Sequence, residues 1–184
     1  MEVITKRKLS IEEYHRMAEV GILAPEERVE LIDGEIITMS PIGKEHLAIV
    51  GRINALLTPM LAGKHIVFSQ SPVIIHGHSE PEPDLMVVPF RDDFYASTGV
   101  TQDDVLLIIE VSDSTLQKDL EVKLPLYARA GIAEAWIIDI KSRELYQYVH
   151  PEKGSYLKHQ RLSIRDEVSS SQLQINLRVK DLLG

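Results

Sequence analysis

With 184 residues, an apolar fraction of 44% and a formal net charge of −8, the chain suits one globular domain with a substantial core. It has no cysteine, which excludes disulfides and thiolate metal sites; the N-terminus lacks the apolar core of a signal peptide and no apolar run spans a bilayer, so a cytoplasmic protein is expected. The acidic balance weighs against tight non-specific binding to nucleic acid, which relies on Lys and Arg neutralising phosphates, but it leaves room for a local basic face.

Ser10 and Glu13 form a capping box, and Ile11, Tyr14, Met17 and Ala18 follow at helical spacing. They predict a helix that ends at Gly21 and covers one edge or face of the core. From Arg28 to Met39, RVELI and EIITM alternate around Asp33-Gly34, which suits a hairpin with a type I′ turn. Glu30 shares a strand face with Arg28 and Ile32. From Gly43 to about Ala62, Leu47, Val50, Ile53, Asn54, Leu57 and Leu61 recur at three and four and predict the longest helix. His46 falls in its first turn, and Pro59 is expected to kink or shorten its end.

His65 to Ser69 and Pro72 to Ile75 are strand candidates. Asp84 opens an apolar run, Leu85 to Val88. A charged loop, Arg91 to Asp104, leads to a second run, Val105 to Val111, with Glu110 near its close. A helix from about Leu120 to Ala130 stops at Gly131. Ala135 to Ile140, with Trp136 and Asp139, reads as a buried strand. Leu145 to Val149, Tyr156 to Arg161 and Gln172 to Leu177 read as peripheral strands, and Val179 to Leu183 as a terminal helical turn. The fold class is α/β, an α+β mixed sheet with flanking helices. Without repeats, low-complexity tracts or linkers, residues 1–184 are expected to form a single domain. Within it, 1–40 is the N-terminal helix and hairpin, 41–140 the core and 141–184 a strand-rich C-terminal part.

If the runs carrying Asp84 and Glu110 pair antiparallel, the start of one lies beside the end of the other. Two carboxylates then meet at one edge of a sheet. Glu110 closes an apolar run typical of an inner strand, where a carboxylate is costly unless it is paired or holds a metal. A salt bridge and metal ligation stand as equal readings there. Glu80, Glu82 and Asp84 alternate, with Glu80 and Glu82 read as a solvated lead-in held extended by Pro81 and Pro83. Lys123 lies four residues after Asp119, so an ion pair on one helix face is the simpler reading. Pro125 sets the helix start near Leu120 and puts Lys123 in the opening turn, where a cation opposes the macrodipole and calls for acidic partners. Two hard oxygen ligands beside an ammonium can hold Mg²⁺ and act on a phosphodiester. His76 and His78 read as part of a surface loop. The absence of a Gly-rich phosphate loop and of G-x-S-x-G weakens P-loop hydrolysis and serine acyl transfer.

ERVELIDGEIITMSPIGKEH, EPEPDLMVV, LLIIEVSDST and KDLEVKLPLYARAGIAEAWIID, in this order and spacing, resemble the Uma2 family, formerly domain of unknown function 820. The resemblance spans roughly residues 8 to 150. That family belongs to the PD-(D/E)XK restriction-endonuclease-like superfamily, which implies an α-β-β-β-α-β core and a divalent metal. Carried over, Asp84 and Glu110 would ligate Mg²⁺ or Mn²⁺ with the Val111 carbonyl. The motif lysine would fall at position 112, where this chain has Ser112; the family places a lysine on the following helix, matched by Lys123. Glu30 and His46 match further family positions, for metal orientation or proton transfer. Pro125 departs from the family pattern. The resemblance implies an endonuclease that hydrolyses DNA phosphodiester bonds with metal-activated water, working as a homodimer. The rival expectation is a catalytically weak or inactive nuclease-fold module with an interaction or regulatory role.

Overall fold

In the computed structural model, which describes residues 6–184, a helix, three strands, a second helical segment and a fourth strand follow one another at the centre of the chain. Residues 1–5 of the expected domain lie outside the described residues. The central series is α2 (Lys44–Leu61), β3 (His65–Ser69), β4 (Leu85–Pro89), β5 (Leu107–Ser112), the helical segment after it, and β6 (Glu134–Asp139). This is the α-β-β-β-α-β order that the resemblance implied. β3 to β6 belong to a six-stranded sheet of order β3-β4-β5-β6-β7-β8, in which β5 and β6 run parallel and every other pair antiparallel.

Period-2 alternation splits the side chains of the inner strands between two apolar layers. Leu85, Val87, Leu107, Ile109, Trp136 and Ile138 pack against α2 through Ile49, Val50, Ile53 and Leu57. Met86, Val88 and Ile108 pack on the other side with Leu126, Tyr127, Ile132 and Ile32. β5 and β6 are buried along their whole length, as strands covered on both faces should be. α5 (Val179–Leu183) adds Val179, Leu182 and Leu183 to the α2 layer.

Several elements depart from expectation. Leu47 is exposed and Ile49 joins the core, while Val50, Ile53, Leu57 and Leu61 of the expected stripe are buried. Pro59 sits inside α2, which runs on to Leu61. Residues 72–75 form no strand and make only isolated bridges, Ile74 to Thr101 and Ile75 to Ser79; Pro72 has no N–H to lend to a ladder. β7 (Glu144–Glu152) and β8 (Ser155–Ser163) extend the main sheet as a long hairpin, in which β7 is an inner strand and β8 is the exposed edge, peripheral as expected. β9 (Glu167–Ser170) was not foreseen and pairs with β10 (Ile175–Arg178).

The helical segment after β5 begins at Leu116, not Leu120. α3 (Leu116–Lys118), a π turn (Asp119–Lys123) and α4 (Leu124–Arg129) follow without a break. Proline in an α-helix withholds one N–H and crowds the carbonyl four residues back. The wider i→i+5 turn just ahead of Pro125 accommodates that ring. Lys123 therefore lies in mid-helix, and the expected conflict with the macrodipole does not arise. Gly131, at φ 77, follows the end of the helix.

At the N-terminal end, α1 (Ile11–Glu19) carries the Ser10/Glu13 capping box and buries only Ile11. β1 (Val29–Ile32) and β2 (Glu35–Thr38) pair around Asp33 and Gly34, at φ 49 and 78, the conformation of a type I′ turn. Backbone bonds from Glu80 N to Leu31 O and from Gly34 N to His78 O, both 2.7 Å, fasten this hairpin to the segment that leads into β4. Among the described residues no helix is long and apolar enough to cross a membrane.

Candidate active site

The β4–β5 register pairs Leu85 with Ile109, which places Asp84 beside Glu110 at the sheet edge. Asp84 N donates to Glu110 Oε2 at 3.4 Å, and Val111 N donates to Asp84 Oδ2 at 2.8 Å. The π turn carries Lys123 to the same point. Its Nζ lies 3.0 Å from Glu110 Oε1 and 3.2 Å from Glu30 Oε2, and it donates to Glu82 O at 3.4 Å. Glu30, fully buried on β1, also accepts from Lys118 Nζ at 2.6 Å and from Glu82 N at 3.2 Å. His46, in the first turn of α2, brings Nε2 to 3.0 Å from Asp84 Oδ1, while its buried Nδ1 has no hydrogen-bond partner. Asp84, Glu110, Val111, Lys123, Glu30 and His46 thus line one cleft.

The salt-bridge reading of Glu110 is met by Lys123. Its Oε1 accepts from the Lys123 ammonium and, at 2.6 Å, from the Tyr127 hydroxyl, while Oε2 faces the Asp84 side. Burial pushes the Glu110 carboxyl up to about 8, against the nearby Lys123 charge and with the help of Asp119 and Asp84. Burial works to lower the Lys123 pKa, but Glu110 and Glu30 outweigh it, so the ammonium is held firmly charged. Burial likewise raises Glu30, and the two lysines overcome it, leaving a net downward shift.

The donor set fits a hard divalent cation. Two carboxylates converge in the cleft that Val111 also lines, Asp84 on an imidazole whose Nδ1 has no partner, and Glu110 with one oxygen on Lys123 and the other toward Asp84. Among the described residues no three His, Cys, Asp or Glu side chains are grouped to hold a metal ion. Mg²⁺ does not require such a group, because it keeps several waters and takes one or two carboxylates plus substrate phosphate.

Other expectations need correcting. Glu80 is not a solvated lead-in: it is 7% exposed, and its Oε2 lies 2.6 Å from His15 Nε2. Glu82 is half-buried, and burial raises its carboxyl. Asp119 makes no ion pair with Lys123. It accepts instead from the Ser112 and Thr115 hydroxyls at 2.7 Å, so Ser112, which stands where the motif lysine would fall, steadies the helical segment. His76 and His78 are exposed on a loop, as expected. Sequence reasoning missed Lys118 and Tyr127. Tyr127 could have been found four residues after Lys123, on the same helix face. No local pattern ties Lys118 to Glu30.

The profile of the Uma2 family, described as "Putative restriction endonuclease", matches residues 11–180. Among solved structures, the chain is similar to "a putative nuclease belonging to DUF820" from Anabaena variabilis. That likeness has a TM-score of 0.70 at 18% identity and covers 95% of this chain and 97% of the other. At that identity it speaks for the fold. No curated protein matches the chain.

Proposed function

Since the chain belongs to the Uma2 family, we propose that it is a Mg²⁺-dependent endonuclease that hydrolyses DNA phosphodiester bonds. The observation that carries this reading is the meeting of Asp84, Glu110 and Lys123 at one sheet edge, with the lysine 3.0 Å from Glu110. Asp84 and Glu110 would hold the ion, with the Val111 carbonyl as a further ligand. Mg²⁺, when bound, supplies Lewis acidity to the phosphodiester and makes water a better nucleophile at neutral pH.

The chain's own residues do the rest. Lys123 and Tyr127 fix one oxygen of Glu110, which orients the other toward Asp84. His46 orients Asp84 from the opposite side. The Lys123 ammonium, immobilised by two carboxylates, offers a preorganised charge to the oxygens that become more negative as the phosphodiester breaks. Glu30 keeps that ammonium and Lys118 in place. A homodimer would present two such clefts, one to each DNA strand.

Replacing Asp84 by Asn keeps the side-chain shape and removes one anionic ligand. The variant is expected to fold, with an unchanged circular dichroism spectrum, and to lose Mg²⁺- or Mn²⁺-dependent cleavage of plasmid and oligonucleotide DNA. Undiminished cleavage by Asp84→Asn would overturn the assignment. A wild-type protein that neither cleaves DNA nor gains thermal stability from Mg²⁺ would instead be an interaction module on a nuclease fold.

A further inference from the structure

We propose that Arg28, with Lys118 beside it, forms a second anion subsite in the cleft, for a backbone phosphate next to the scissile one. This inference rests on the nuclease reading. Met39 N donates to Arg28 O at 2.8 Å, so strand geometry continues back from β1 through Arg28. Arg28 and Glu30 are two residues apart on that strand and share its face. Lys118 Nζ binds Glu30 from the helical segment. Arg28, Glu30 and Lys118 all line the cleft.

Charge is unevenly met on this wall. Lys123, its side chain 5% exposed, is already held between two carboxylates. Lys118 is 25% exposed and, among the described residues, has only Glu30 as an ion-pair partner, which Lys123 also uses. Among the described residues, no carboxylate lies within the 4.0 Å ion-pair distance of the Arg28 guanidinium. Among the described residues, its only side-chain hydrogen bond is from one terminal nitrogen to Ser40 O, at 3.1 Å. Glu82 feels the Arg28 charge, and burial raises its carboxyl. Glu30 is shared between Lys118 and Lys123, and Lys123 is also answered by Glu110. A guanidinium has five N–H donors in a fixed fork that matches phosphate oxygens. Among the described residues at least three of Arg28's have no partner, in a cleft that Asp84 and Glu110 also line. A strand with its scissile phosphate at Asp84 and Glu110 would lay a neighbouring phosphate against this pair.

The test is the salt dependence of kcat/KM for cleavage of a labelled oligonucleotide with Mg²⁺. It compares wild type, Arg28→Gln, Arg28→Lys, Lys118→Gln and, as a control on a remote exposed cation, Lys153→Ala. Gln at position 28 retains a donor for Ser40 O and removes the charge. Loss of one phosphate contact lowers the slope of log kcat/KM against log salt by about 1. Arg28→Gln is expected to show that drop for every sequence tested, with KM raised several-fold and kcat little changed. Arg28→Lys should recover the slope, and Lys153→Ala should leave it unaltered. Should Arg28→Gln fail to fold, a lowered slope in Lys118→Gln supports the subsite in its place. A wild-type slope in Arg28→Gln and Lys118→Gln, or a loss confined to kcat, overturns the subsite while leaving the nuclease reading intact. Absence of cleavage by the wild type overturns that reading, and the subsite falls with it.

Discussion

Removing the Lys123 ammonium would strand Glu110 in a site where it is 3% exposed. Breaking a buried ion pair from one side costs about 3–5 kcal/mol, because the partner left behind must bury its charge alone or take up a proton. Lys123→Met is therefore expected to lower Tm by roughly 6–20 °C for a domain of this size. Lys123→Met combined with Glu110→Gln should recover most of that loss, since the pair vanishes together. Equal loss in the single and double variants would show that the pair is not what stabilises the site. Glu30 makes a pH prediction. Its folded-state carboxyl is shifted below the ordinary value of 4.5, after two lysines overcome burial. The folded state therefore binds its proton less readily than the unfolded chain. The stability this contributes is fully present above pH 4.5 and is lost as pH falls through the lower, folded-state pKa. Glu30→Gln should accordingly be less stable than wild type at pH 7, with the gap closing under acid conditions. Thermal melts across that range check it; a gap of constant size would contradict it.

The hairpin and the helical segment position these groups, and they differ in how far their sequences disclose them. The hairpin was legible because alternation and Asp33-Gly34 leave little choice of register or turn. Gly34 sits at φ 78, and a Cβ there would lie 2.5 Å from Lys8 Cβ. Gly34→Ala is expected to destabilise the protein by about 1 kcal/mol or more, since it adds backbone strain to that clash. Because β1 carries Glu30 and follows directly on Arg28, cleavage should fall as well, and thermal melts paired with cleavage assays would show both. Asp84 and Glu110 were legible for a similar reason. Two apolar runs, each with one acid at opposite ends, can pair antiparallel only by bringing the acids together. The π turn was not legible, because it changes the hydrogen-bond register and leaves the apolar pattern almost untouched. Pro125 was its one trace, and it read as a helix start. The burial of Glu80 was hidden too, since it depends on Leu31 and His15, which the fold brings from far along the chain. β9 is polar and short, and only its pairing with β10 makes it a strand.

Across the whole molecule, the net charge of −8 and the proposed substrate pull in opposite directions. The cleft answers this locally: Arg28, Lys118 and Lys123 line it together with its acids, whose charge the proposed dication would offset. Metal binding should therefore register as global stability. Saturation at a hundred times Kd adds about 2.7 kcal/mol. For a chain of this length that is a rise in Tm of roughly 5–10 °C. Mg²⁺ or Mn²⁺ should produce this shift in the wild type and not in Asp84→Asn, by differential scanning fluorimetry. An equal shift in both would place the ion elsewhere. A crystal structure of the protein with Mn²⁺, read by anomalous scattering, bears most closely on the proposed metal site. The expected outcome is a single strong peak held by the carboxylates of Asp84 and Glu110, with the Lys123 ammonium still on Glu110. No peak at saturating Mn²⁺, or a peak away from these two acids, would refute it.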